Sequence, residues 1–467
     1  MTGIGLGAAL LLGFLLRDSH AGWAAVPLVL ASVAAGLMLL PDRRDRIAVI
    51  VAAGLLTFGA WWAGFGASVP DLPPELAQAK RFTGVVLDSP RRYPSGNYAR
   101  LAVRDPSPAI LTARFPTFPE VKQGAVVRAY GSASPRDRDP GLGEPRYLTS
   151  NGAVGDLWAT WLTVEGSEAT TAQRVRNTIT DSFAGRIRRA IPEPAGTLAT
   201  GLLLGNDDAM TRATRDAFRS AGLSHITAVS GWNIAVVAGL FAAIGTGGLI
   251  DRRLQLIAAI AGVWAFTYLV GAPPSALRAA VMGTIYLLAH LRGRPKDTLT
   301  ALVWATALLI VITPPIRFDP GFQLSVAATL ALTAAVPYLE SRRWLVLAGI
   351  PLAAEIAVAP LLWHHFGTYS LISPLANVLA APLVAPAMAG AALVVAASFI
   401  HPFLAAMVGL VAWVPGRLII AITELAAGIP WASGKTMALG TNGVIIAYAL
   451  LLGLYLWMEL RYRPVRL

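Results

Sequence analysis

The stretch Pro374-Leu375-Ala376-Asn377-Val378-Leu379-Ala380-Ala381-Pro382-Leu383-Val384-Ala385-Pro386, continuing apolar to Ile400, carries no charged side chain over 27 residues. A bilayer core about 30 Å thick needs roughly 20 apolar residues in helical form, so this stretch is long enough to cross one. Its repeated prolines and Asn377 predict a broken or re-entrant helix, a form tolerated at membrane depth where it is buried in protein or faces a water cavity. Eight further apolar stretches surround it, at roughly 224–247, 254–272, 275–291, 298–316, 321–339, 344–363, 402–429 and 444–458, and three more open the chain at 2–16, 21–40 and 47–69. The 467 residues are 55% hydrophobic and 14% charged, against about 25% charged in an ordinary soluble domain. Twelve helices would use about half the chain and leave room for one domain outside the membrane. The expected fold is therefore a polytopic α-helical membrane protein of about twelve transmembrane helices with an inserted extracytoplasmic β-rich domain. A cleavable signal peptide fits poorly, because the first positive side chain, Arg17, follows the first apolar run.

Charge sets the expected orientation. Thirteen Lys and Arg fall in alternate connections, at Arg43/Arg44/Arg46, Arg252/Arg253, Arg292/Arg294/Lys296, Arg342/Arg343 and Arg461/Arg463/Arg466, while the opposite short connections hold Arg17, Arg317 and Lys435. The positive-inside rule then predicts a cytoplasmic-membrane protein with both termini cytoplasmic and residues 70–223 outside. The net charge of +12 suits anionic lipid, nucleic acid, or both. The absence of cysteine excludes disulfides, thiolate zinc sites and a cysteine nucleophile.

Within residues 71–170 the period becomes strand-like, at Phe82–Leu87, Tyr98–Val103, Ile110–Phe115, Ala125–Tyr130 and near Ala159–Val164, with Ser95-Gly96-Asn97, Pro116 and Gly131 between runs. This reads as a small β-barrel or sandwich. Arg91, Arg92, Tyr93, Tyr98, Arg100, Arg114 and Arg128 interleave cations with rings, the pattern of a single-strand nucleic-acid platform. A solvated face over core aromatics accounts for the same residues. Residues 171–223 are expected to form an amphipathic interfacial helix and a polar lead-in. Val175, Ile179, Phe183 and Ile187 recur every four residues, with Arg174 and Arg176 placed for lipid head groups or a passing polyanion.

The last segment, 224–467, opens on an unusual run. Leu203-Leu204-Gly205-Asn206-Asp207-Asp208 leads through a polar helix to Gly222-Leu223-Ser224-His225-Ile226-Thr227-Ala228-Val229-Ser230-Gly231-Trp232-Asn233. Polar groups at the mouth of a hydrophobic helix are costly unless they line water or meet partners. Thr227, Ser230 and Asn233 make a stripe suited to lining a path or bonding a neighbouring helix. A hydrolase pair of Ser230 and His225 is an alternative, but five helical steps separate them by about 140°. Arg278, just inside a helix start at Pro273-Pro274-Ser275-Ala276-Leu277, can meet a phosphate or carboxylate. Asp319 is placed to cap the next helix and Gln323 to lie on its first turn. Ser433-Gly434-Lys435-Thr436 lacks the earlier glycine of a phosphate loop, and the six histidines form no metal-ligand run. No cofactor or metal is expected. A carrier for a small anion would need an intramembrane carboxylate, for which Glu355 and Glu424 are the candidates; it ranks last.

These motifs, in order, resemble the ComEC family of competence proteins, the inner-membrane channels for DNA uptake in naturally transformable bacteria. The resemblance covers about residues 81–379. It rests on Leu203-Leu204-Gly205, Gly222-Leu223-Ser224-His225 with Val229-Ser230-Gly231, Ser275-Ala276-Leu277-Arg278, Asp319-Pro320-Gly321-Phe322-Gln323-Leu324-Ser325, and Ser373-Pro374-Leu375-Ala376-Asn377. It implies an external OB-fold, matched at Gly124–Tyr130, Asp139-Pro140-Gly141 and Tyr147-Leu148, and passage of one DNA strand while the other is degraded. It also implies a DNA receptor, a nuclease and a cytoplasmic motor or single-strand-binding proteins as partners, besides lipid and single-stranded DNA. Two departures stand out: Asn233 occupies a position where many members carry histidine, and the metallo-β-lactamase-like domain that many members carry, with its H-x-H-x-D-H signature, is not found, so a nuclease step is expected from another protein or not at all. The expected path residues are His225, Thr227, Ser230, Asn233, Arg278, Asp319, Gln323 and Asn377.

Overall fold

The computed structural model describes residues 72–93, 96–116, 121–135, 153–205, 210–227, 251–291, 298–339, 343–435 and 439–462, with several positions between 231 and 239. The first three apolar stretches, Ser230 and the segment holding Asp139 and Tyr147 lie outside the described residues. The chain divides into two compact units, residues 1–170 with 295–322, and residues 171–294 with 323–467.

In the first unit a short helix α1 (Pro74–Gln78) precedes strands β1 (Arg81–Val86), β2 (Arg91–Tyr93), β3 (Gly96–Asp105), β4 (Ala109–Phe115), β5 (Ala125–Pro135) and β6 (Gly155–Ser167). The strands run in the order β1-β5-β6-β4-β3-β2, and β1 also pairs with β3, so five of them close into a barrel. β4 and β6 pair in parallel; the other pairs are antiparallel. Closure follows from alternation: Phe82, Leu101, Leu111, Leu157 and Leu162 point inward and are buried, each contributing roughly 1.5–3 kcal/mol, and closing the ring removes free sheet edges. Leu76 of α1 joins that core. β2 was not expected as a strand, because three residues carry no readable alternation.

The second unit begins with α2 (Thr171–Ala190), α3 (Ala195–Leu204), α4 (Arg212–Ser220) and the single turn α5 (Ser224–Thr227), then α6 (Arg252–Leu269) and α7 (Pro274–Leu291). Helix α8 (Thr298–Ile312) and a 3-10 turn (Pro314–Phe318) belong to the first unit by chain range, and α9 (Pro320–Leu339) follows. The rest is α10 (Arg343–Phe366), α11 (Ser373–Ile400), α12 (Pro402–Ala427) and α13 (Thr441–Tyr462), with a two-stranded ribbon of β7 (Thr368–Ser370) and β8 (Ser433–Lys435). Among the described helices, α9, α11 and α12 are long and apolar enough to cross a membrane.

Two expectations change here. Helix α11 runs unbroken through Pro382 and Pro386. Its alanines Ala380, Ala387 and Ala391 pack with Ala412, Ile419 and Ile420 of α12, and small residues at a helix contact give the close packing that offsets a missing backbone bond. Within the segment 171–223, α3 is core and not part of a polar lead-in. Ala195, Leu198, Ala199 and Leu202 of α3 are core residues shared with α11 and α12. Arg186 of α2 bonds Ser398 at one end of α11, while Ser220 accepts from Ser370, just before the other end. Ser373 and Ser398 are about 37 Å apart along α11 at 1.5 Å per residue, so residues 186–220 run its full length.

Candidate functional site

Helix α4 ends in a Schellman-type turn: Leu223 N–H donates to Phe218 O at 2.8 Å, and Gly222 adopts φ +74°. A Cβ on Gly222 would stand 2.2 Å from Ser373 Oγ, so the turn needs glycine for both its backbone and its neighbour. This turn delivers His225 to the start of α11, with the Asn377 side chain and the Gly222 backbone as its polar neighbours. His225 itself is exposed at this turn.

Glu355 of α10 completes the cluster. Ser373 Oγ donates to Glu355 Oε1 at 2.6 Å, and Asn377 Nδ2 donates to Glu355 Oε2 at 3.0 Å and to Ser373 Oγ at 3.2 Å. The Ser373 proton goes to Glu355, since its contact to Gly222 O is long at 3.4 Å. With both amide hydrogens used, Asn377 keeps Oδ1 as the acceptor for His225. A carboxylate at the first turn of α11 also meets the positive end of the helix dipole.

A second polar set gathers on α7, α9 and α10. The Arg278 side chain, 4% exposed, donates Nε to Ser325 Oγ at 3.1 Å and Nη1 to Met282 Sδ at 2.9 Å, and Nη2 also bonds Ser325 Oγ. Among the described residues its partners are neutral. A methyl on Gly231 would lie 3.9 Å from Arg278 Nη2, so the motif that begins at Gly222 reaches this set as well. Gln323 Oε1 meets His365 Nε2 at 2.7 Å, and His364 Nδ1 meets Leu439 O at 2.7 Å.

The remaining expected path residues hold backbone. Asp319 accepts from Phe322 N at 2.8 Å and caps α9, Asn233 Nδ2 donates to Leu202 O at 2.7 Å at the end of α3, and Thr227 Oγ1 donates to Ser224 O at 3.1 Å. Ser230 lies outside the described residues. Glu355, Ser373, Ser325 and His365 were missed as site residues. Glu355 left a signal as an acidic residue inside an apolar stretch, Ser325 and Ser373 lay within motifs already singled out, and His365 left none.

On the barrel, register lines up Arg91 with Tyr98, Tyr98 with Arg114 and Arg114 with Trp158 across β2, β3, β4 and β6. Tyr98 is buried, and the Arg114 guanidinium lies 4.0 Å from the Trp158 ring centre. Arg100 is clamped by Asp88 through two bonds of 2.6 and 2.8 Å, and Arg128 pairs with Glu165. Arg92 and Tyr93 lie on β2 beside Asn97 and Gly96. On α2, Arg174 is exposed, whereas Arg176 is buried and bonds Asn177 Oδ1. Most of the expected external cations therefore already have protein partners, and among the described residues of the barrel the exposed rings are Tyr130, Trp158 and Trp161, of which the sequence reading named Tyr130 but neither tryptophan.

A family model described as Competence protein matches residues 202–461, more than half of the chain. ComE operon protein 3 of Bacillus subtilis (strain 168) is 28% identical over 244 residues, covering 50% of this chain and 31% of that protein. Competence protein ComA of Neisseria gonorrhoeae is 29% identical over 201 residues, covering 40% and 28%. Uncharacterized protein YcaI of Escherichia coli (strain K12) is 26% identical over 209 residues, covering 41% and 28%. The alignments thus span about a third or less of each of these relatives. No solved structure matches the chain. The match takes in His225, Arg278, Gln323, Glu355, Ser373 and Asn377 together, and the chain belongs to the competence protein family, as its resemblance to ComEC proteins implied.

Proposed function

We propose that the chain forms a channel in the bacterial inner membrane that passes single-stranded DNA into the cytoplasm during natural transformation, with the barrel capturing the strand outside. The matching family model and one of the relatives are named for competence. The barrel's five-strand closure with one parallel pair supports reading it as OB-like, and three described helices long and apolar enough to cross a membrane support a multi-pass membrane part, for which the sequence predicts about twelve spans. A DNA receptor, a nuclease and a cytoplasmic motor or single-strand-binding proteins would act with it.

The observation that carries this reading is Arg278. A polyanion crossing about 30 Å of hydrocarbon needs a polar route with cations along it, and a buried guanidinium resting on a hydroxyl and a thioether can exchange those weak partners for a phosphate held by two N–H groups. His225, Gln323 and Asn377 would line the same route, while Thr227, Asn233 and Asp319 shape it by holding backbone. Arg278→Gln, expressed in a transformable host in place of its own homologue, should lower transformation at least tenfold at unchanged protein level. Arg278→Lys should recover part of the loss, since it restores charge without the two-pronged geometry. Unchanged transformation in Arg278→Gln at normal protein level overturns the reading.

A further inference from the structure

In a regular strand Trp158 and Trp161, three residues apart, would face opposite sides of the sheet. In β6 they do not. The register against β5 slips, so that Tyr130 faces Trp161, Gly131 faces Ala159, and Thr160 has no partner residue. This bulge turns Trp158 and Trp161 to the same outer face, 55% and 64% exposed, while Leu157, Ala159 and Leu162 stay in the core. The bulge is held in place: Thr160 Oγ1 donates to Tyr130 O at 3.0 Å, and a Cβ on Gly131 would lie 1.9 Å from Trp158 O, so only glycine permits the approach. Bulges that re-aim side chains are features of binding surfaces.

Two of the three rings on this flank have an arginine opposite them on the adjacent strand. Arg114 stacks on Trp158, and Arg81 stands opposite Tyr130, which stands opposite Trp161. A groove lined by Gln78, Lys80, Tyr130, Ser132 and Thr160 opens beside Tyr130. Between the rings the surface is polar, with Ser132, Thr160 and Thr163 exposed, so it offers lipid no continuous apolar wedge. Rings alternating with guanidinium groups over polar ground suit unpaired bases joined by phosphates.

We propose that the β5–β6 flank is the stacking platform of the barrel. Trp158, Trp161 and Tyr130 take successive bases of a single strand, and Arg81 and Arg114 meet its phosphates. This rests on the reading of the barrel as the strand-capturing domain. The test uses the full chain in detergent with fluorescein-labelled oligo-dT, followed by anisotropy. The double variant Trp158→Ala/Trp161→Ala should raise Kd at least tenfold and leave the salt dependence in place. Trp158→Phe/Trp161→Phe should recover most of the affinity, which separates stacking from a folding defect. Arg114→Ala should make the slope of log affinity against log salt shallower by about one. If the wild-type chain binds oligo-dT and the alanine double variant binds equally well, the platform is wrong and strand capture stands. If the wild-type chain does not bind, capture itself fails. In proteoliposomes containing brominated lipid, quenching that disappears in the phenylalanine double variant would assign the two indoles to the bilayer and overturn the platform.

Discussion

On the barrel, Arg100, Arg104 and Arg128 each meet a carboxylate, Asp88, Glu168 and Glu165, whereas in the helical unit Arg186 and Arg278 rest on Ser398, Ser325 and Met282. The helical unit does own acidic groups. Arg417 and Glu424 pair on the exposed side of α12, but Glu355 bonds a serine and an asparagine instead of a cation. Where water is at hand, opposite charges pair at little net gain. Inside apolar surroundings an ion without a counter-ion is expensive, and keeping opposite charges apart leaves each able to act on something that is not part of the protein.

The comparison depends on which charges lie at bilayer depth, and an all-or-none experiment can break it. If α11 spans the membrane, residues 186–220 span it too, because they run its length. That crossing is not among the stretches expected from sequence. The chain has no cysteine, so Ala172→Cys and Arg212→Cys each introduce a single labelling site. An impermeant maleimide should reach one of them in intact spheroplasts and the other only after lysis. Labelling of both from one face would place Arg186 outside the lipid and remove it from the comparison.

Next in size is Glu355. Glu355→Ala leaves the buried Ser373 hydroxyl and one Asn377 amide hydrogen without their acceptor, at about 1–3 kcal/mol each. The loss also frees Asn377 to turn away from His225. The variant should unfold at markedly lower temperature in detergent and lose transformation. Glu355→Gln keeps one acceptor oxygen and should retain about half of the stability difference. A Glu355→Ala protein as heat-stable as wild type would show that the cluster does not tie α10 to α11.

How far each region could be read from sequence follows the range of its interactions. Five barrel strands showed as period-two runs, because inward Phe82, Leu101 and Leu111 alternate with outward residues. The bulge at Thr160 did not show, since a slipped register is a property of two strands, and Trp158 and Trp161 were passed over with it. Arg100 and Arg128 looked available because Asp88 and Glu165 lie 12 and 37 residues away. In the helical unit the motifs around Gly222, Arg278 and Ser373 stood out as polar groups in apolar runs. The convergence of Ser373 and Asn377 on Glu355 was invisible, because they belong to the next helix. The burial of α3 was hidden for the opposite reason: ten largely apolar residues between Pro194 and Gly205 are too few to signal a crossing, and α2 must be joined to them to see one.

The smallest effects belong to the barrel's ion pairs, and they rank by exposure. A double-mutant cycle on the part-buried, two-pronged Arg100–Asp88 pair should give a coupling of about 1 kcal/mol, whereas the fully exposed Arg104–Glu168 pair should give none that can be resolved in physiological salt. Its trace should be in the pH dependence. Hydrogen bonds from Arg104, at 2.5 and 2.6 Å, hold the Glu168 carboxyl below the usual carboxylate range. A group lowered in the folded state stabilises fully above its unfolded value and loses that contribution as pH falls through the folded value. Hydrogen exchange of the β6 amides in the full chain, corrected for intrinsic rates, should therefore show any difference between wild type and Glu168→Gln at neutral pH and low salt. The difference should vanish on acidification, and also in high salt at neutral pH. A difference that survives both would mean that Glu168 acts through packing at the end of β6, and the barrel's surface charges would then matter to its fold more than their exposure allows.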